Sequence, residues 1–101
     1  MPVAAGGGWA APDPVTDLTA QTGGSGVDLA WSLVPGASGY NIQRSLTNSD
    51  FANIATGEQG PTYTNSSGDP DALYYYRVIA MMGMVPSAPS NVASANYPPP
   101  P

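Results

Sequence analysis

The sequence has no cysteine, no histidine and no lysine; its only cations are Arg44 and Arg77. Without cysteine there is no disulfide and no thiolate metal site. Without histidine, cysteine or lysine the usual bases and activated nucleophiles are missing. Acid–base work would fall to Asp13, Asp17, Asp28, Asp50, Glu58, Asp69 and Asp71. Most of these are expected at strand ends or on turns, where an Asp is a solvated turn-former. The expectation is therefore no enzyme and no cofactor. Charge is scarce as well: 9% of residues are charged, against roughly 25% in an average domain. The net charge of −5 offers no basic stripe for phosphates and no attraction to an anionic membrane surface. No apolar run approaches the roughly 18 residues of a membrane span. The N-terminus lacks the basic and continuous apolar regions of a secretory signal. Together with the initiating Met, this favours a complete product made and used without export over a fragment.

What is present is abundant Gly and Pro, 12 of each in 101 residues, with 42% hydrophobic residues. That composition suits one domain of short strands joined by turns. The organising stretch is Leu-Tyr-Tyr-Tyr-Arg-Val-Ile-Ala-Met-Met, residues 73–82. Successive strand residues point to opposite faces. Tyr74, Tyr76, Val78, Ala80 and Met82 therefore form an apolar inner face, and Tyr75, Arg77, Ile79 and Met81 a mixed outer one.

Six more strands are expected around it. Residues 14–22 carry Val15, Leu18 and Ala20. Residues 27–34 alternate cleanly, with Val27, Leu29, Trp31 and Leu33 inward. Residues 40–46 place Tyr40, Ile42 and Arg44 on one parity. Residues 51–56 make a short edge strand, 62–65 carry an inward Tyr63, and 91–97 close the chain. Leu29, Trp31, Tyr40, Ile42, Tyr76 and Val78 form the expected core, with Trp31 as its central plug. The fold class is all-β, a seven-stranded antiparallel Greek-key sandwich over residues 14–97. An extended Gly/Ala-rich arm (1–13) precedes it, and a polyproline stub (98–101) follows.

At this point the chain resembles a fibronectin type III domain. The resemblance is carried by Pro12-Asp13-Pro14-Val15-Thr16-Asp17-Leu18, Leu29-Ala30-Trp31 and Gly39-Tyr40-Asn41-Ile42-Gln43-Arg44-Ser45. Tyr74-Tyr75-Tyr76-Arg77-Val78-Ile79-Ala80 and Ser87-Ala88-Pro89-Ser90 complete it. It implies a tyrosine corner at Tyr76, with the hydroxyl bonded back to the loop backbone near residues 69–72. It also implies that Leu73 stands in, from a shifted position, for the leucine that anchors that loop. The Arg-Gly-Asp tripeptide of some members is absent, so integrin binding is not implied.

Candidate sites are few. Asn65, Asp69 and Asp71 could offer oxygens to calcium, but their spacing matches no calcium loop and a plain turn is preferred. Asn65-Ser66-Ser67 fits a glycosylation sequon, which matters only in a secreted eukaryotic context. Met81-Met82-Gly83-Met84-Val85 puts three methionines at a loop tip, where residues are normally polar. Trp9 is the only large side chain of the arm. Trp9, Met82, Met84 and Val85 are therefore the candidate partner contacts, with protein subunits as partners. Tyr75 and Tyr97 are weaker candidates for stacking on sugars. The expected role is a non-catalytic subunit decorating or stabilising a large assembly such as a phage capsid or tail, located in the virion. The alternative is an accessory spacer or carbohydrate-contacting module of a secreted bacterial enzyme or cell-surface protein.

Overall fold

The computed structural model describes residues 11–100. Among them the chain forms eight strands and no helix: β1 (Thr19–Thr22), β2 (Val27–Ala30), β3 (Gly39–Ser45), β4 (Ala52–Glu58), β5 (Thr62–Asn65), β6 (Leu73–Met82), β7 (Val85–Pro86) and β8 (Ala93–Asn96). They make two antiparallel sheets. One has the order β1-β2-β5. The other runs β4-β3-β6-β7, with β8 also on β6. The count is eight rather than seven because a two-residue strand, β7, forms after the Met turn.

The period of two in β6 is obeyed. Tyr74, Tyr76, Val78 and Ala80 are buried on the inner face, while Tyr75 and Arg77 are half-exposed on the other. Against them pack Val15, Leu18, Val27, Leu29, Trp31, Tyr40 and Ile42. Removing each such aliphatic side chain from water contributes about 1.5–3 kcal/mol. Trp31 meets Tyr40 edge to face, ring centroids 5.4 Å apart. The Tyr40 hydroxyl accepts the Val34 N–H at 2.7 Å, which holds the β2–β3 loop against the core.

Several expected strands are shorter than their sequence pattern. β2 ends at Ala30, so the alternation beyond it no longer tracks a sheet face, and Leu33 is 58% exposed instead of inward. The Trp31 N–H still continues the β2–β5 register to Pro61 O, but the Val34 N–H turns to the Tyr40 hydroxyl, so the segment leaves the ladder after Trp31. Residues 14–18 likewise precede β1. Val15 and Leu18 are still buried, and Leu18 is clamped by Asn91, which accepts from its N–H and donates to its C=O, both at 2.9 Å. Leu73 is 42% exposed, so it does not anchor the loop before β6; Ala72 packs on the core there.

β7 and β8 occupy the same edge of β6 in tandem. Pro86 and Pro89 cannot donate to a ladder between them. Two buried serines bridge the gap. The Ser87 hydroxyl accepts the Ala80 N–H at 2.9 Å and the Ser90 hydroxyl accepts the Val78 N–H at 2.8 Å. Their own N–H groups return to the Ala80 and Val78 carbonyls. The packed region reaches Pro12 and Pro98, both buried. Tyr97 pairs by backbone with residues 71 and 72.

Candidate functional site

β3 and β6 run antiparallel, with Arg44 opposite Tyr76 and Gly39 opposite Met81. The two ends of this pair carry different chemistry. At the Arg44 end, Asn65 closes β5 and shares its inward parity with Tyr63. Asn65 is only 1% exposed. Its Oδ1 accepts the Tyr76 hydroxyl at 2.8 Å and Arg44 Nη1 at 3.0 Å, and its Nδ2 donates to Ser67. A single amide therefore joins the two sheets across the core. Burial, opposed by the nearby Arg44 charge, pushes the Tyr76 hydroxyl up to about 12.

The Arg44 guanidinium also donates to Ser67 O and lies over the Tyr74 ring, 4.4 Å from its centroid. The Tyr74 hydroxyl accepts the Asp69 N–H at 2.9 Å. Tyr74, not Tyr76, thus holds the loop backbone. The two tyrosines share a parity, but only Tyr74, at the start of β6, reaches the loop. Tyr76 is one pair deeper and finds Asn65 instead.

Above this layer the β3–β4 and β5–β6 loops enclose a cleft of about 510 Å3 lined by Arg44, Leu46, Asp50, Ser67, Asp69 and Tyr74, among others. Asn48, Asp50 and Asp71, the non-glycine residues with positive φ among those described, all lie in these two loops. Gly68 sits so close to the Tyr74 and Tyr97 rings that a Cβ would fall 2.9 Å from Tyr74 Cε2. Both carboxylates of the cleft are exposed on loops, and neither is paired with a nucleophile among the described residues.

The predicted residues distribute as follows. Asn65 is unsuited to calcium, because its oxygen already takes two donors and one of them is a cation. Its burial also withdraws the sequon from the folded surface. Tyr97 packs edge to face on Tyr74, centroids 6.4 Å apart, and is no free platform. Tyr75 is half-exposed on the outer face. Met82, Met84 and Val85 come together at the opposite end, in a hairpin whose two-residue turn is Gly83-Met84. Gly83 has φ +59°, which glycine supplies at the first turn position without a Cβ penalty. Ser38 braces the turn, its hydroxyl accepting the Gly83 N–H at 2.9 Å. Met84 is left 94% exposed, while Met82 and Val85 are half-buried. Trp9 lies outside the described residues. The roles of Asn65, Ser87, Ser90 and Asn91 went unread in the sequence. For Asn65 a signal existed: a polar residue at a core parity.

Two packed antiparallel sheets with a tyrosine tied to the loop before the sixth strand define an immunoglobulin-like β-sandwich. The solved Fn3-like protein from Clostridium thermocellum superposes with a TM-score of 0.77 and 33% identity, over 84% of this chain and 92% of that one. The chain belongs to the fibronectin type III family. No protein-family model matches it. Two amylopullulanases are similar in sequence. The one from Thermoanaerobacter thermohydrosulfuricus is 40% identical over 72 residues, 70% of this chain. The one from Thermoanaerobacterium saccharolyticum is 29% identical over 89 residues, 87% of this chain. The chain spans 5% and 7% of those relatives' lengths. These matches overturn the expectation of a phage capsid or tail subunit in the virion: the similar proteins are bacterial and carry the names of enzymes. An apolar hairpin suits a contact with an adjoining domain as well as one with a separate subunit, so it does not single out a virion.

Proposed function

We propose that this chain is a non-catalytic accessory module of an extracellular bacterial polysaccharide-processing protein, where it spaces and orients neighbouring domains. The observation that supports this best is the 40% identity to a short segment of an amylopullulanase. The residue inventory agrees, since histidine, cysteine and lysine, the usual bases and activated nucleophiles, are missing. In this role the Met82–Val85 hairpin is the contact for an adjoining domain. Methionine adapts its shape to a partner, and Met84 is left almost wholly exposed by the described residues.

A chimera tests the reading. In the Thermoanaerobacter thermohydrosulfuricus amylopullulanase, the matched segment is replaced by residues 11–100 of this chain or deleted outright. The chimera should keep the parent's pullulan hydrolysis and melting temperature, the deletion should lose part of one or both, and the isolated module should hydrolyse nothing. A chimera no better than the deletion, or hydrolysis by the isolated module, refutes it.

A further inference from the structure

We propose that the cleft between the β3–β4 and β5–β6 loops binds a neutral, hydroxyl-rich ligand, a short stretch of α-linked glucan chain. The choice of an α-glucan rests on the accessory-module reading. The choice of a polyol comes from the cleft itself.

Its volume of about 510 Å3 lies within the range of small-molecule sites. Its charges are of both signs: Arg44 against Asp50 and Asp69. A free anion would meet two carboxylates, and a free cation would meet a guanidinium. A sugar suits both, because each hydroxyl can donate to a carboxylate and accept from a guanidinium. Leu46, 60% exposed on the same cleft, supplies an apolar wall for the C–H face of a pyranose ring.

The cationic side is fixed in advance. Arg44 Nη1 is held by Asn65 Oδ1 and Ser67 O, and the guanidinium rests on Tyr74. Binding therefore orders little that is not already ordered, which limits its entropic cost. The remaining guanidinium N–H groups have no hydrogen-bond partner among the described residues and are free to donate. Asp50, on the facing loop, is set by a left-handed backbone (φ +54°), which Asp and Asn both tolerate.

Backbone-amide NMR on the folded domain tests this, with maltoheptaose and cellohexaose titrated in parallel to millimolar concentration. Maltoheptaose should shift amides in residues 44–50 and 67–69 and leave those around Tyr75 unmoved. Asp50→Asn and Asp69→Asn keep the side-chain shape and should keep the melting temperature. Each should weaken binding about tenfold, the loss of one hydrogen bond to a charged group. No shifts, shifts confined to the outer sheet face, equal binding of cellohexaose, or unweakened variants would each overturn the proposal. If the chimera performs as the parent enzyme but maltoheptaose leaves the spectrum unchanged, the cleft assignment falls and the accessory role stands.

Discussion

Replacing Asn65 with alanine should cost about 3 kcal/mol of folding stability. The figure is the sum of three losses worked from the contacts. The Tyr76 hydroxyl, on a fully buried ring, loses its acceptor, and an unpaired buried donor costs about 1–3 kcal/mol. Arg44 loses one of two partners but stays half-exposed, so water takes up the slack at roughly 0.5 kcal/mol. The space left by the amide adds roughly 1 kcal/mol at about 24 cal/mol per Å3 of cavity. Tyr76→Phe should cost only about 1 kcal/mol, because Asn65 Oδ1 keeps Arg44. In the double variant the orphaned hydroxyl is gone, so the two costs should fall short of additive by about 1 kcal/mol or more. Urea unfolding followed by tryptophan fluorescence and circular dichroism reads all three values. A thermal melt should show Asn65→Ala down by about 15 °C, given about 4–8 °C per kcal/mol in a domain of this size. A loss below about 1 kcal/mol, or strict additivity, would show that the sheets are not joined through this amide.

Further outcomes follow from neighbouring contacts. Gly68→Ala drives a methyl into the Tyr74 and Tyr97 rings and should cost about 1–3 kcal/mol, read by the same urea titration. Alkali should destabilise the fold through Tyr76, which stays neutral up to about 12 when folded but ionises near 10 when unfolded. Its contribution is whole below about pH 10 and lost as the pH rises to about 12, at most about 3 kcal/mol; Tyr76→Phe should flatten that part of the pH–stability curve. Ser90→Ala strands the buried Val78 N–H and should cost about 1–2 kcal/mol, with faster hydrogen exchange at residue 78. Met84→Ser should leave the isolated domain within about 0.5 kcal/mol of the parent while weakening any contact the hairpin makes with an adjoining domain.

The β6 pattern was legible because burial on one face imposes a period of two, and Tyr74 to Ala80 obeys it. The same rule misplaced Leu33, since alternation in sequence continues past the point where the backbone leaves the sheet. Choosing between Tyr74 and Tyr76 was beyond the pattern: residues two apart look alike to it, and only the reach to Asp69 separates them. Asn65 belongs to the same class. A polar residue at a strand end reads as a loop ligand until the sheet opposite it supplies Arg44 and Tyr76. The cleft was invisible for a related reason, because its walls come from loops 20 residues apart in the chain. Function was least legible. A chain without histidine, cysteine or lysine carries little chemistry to read, and only its likeness to segments of two amylopullulanases overturned the virion expectation.

The tethering of Tyr97 to residues 71 and 72, with Pro98 buried behind it, bears on how the module would carry a pull. Tension applied at Pro98 along the direction of β8 would strain the rungs joining β8 to β6 side by side and not peel them one after another. A domain loaded that way stays stiff until it gives at once, which suits the spacing role proposed above.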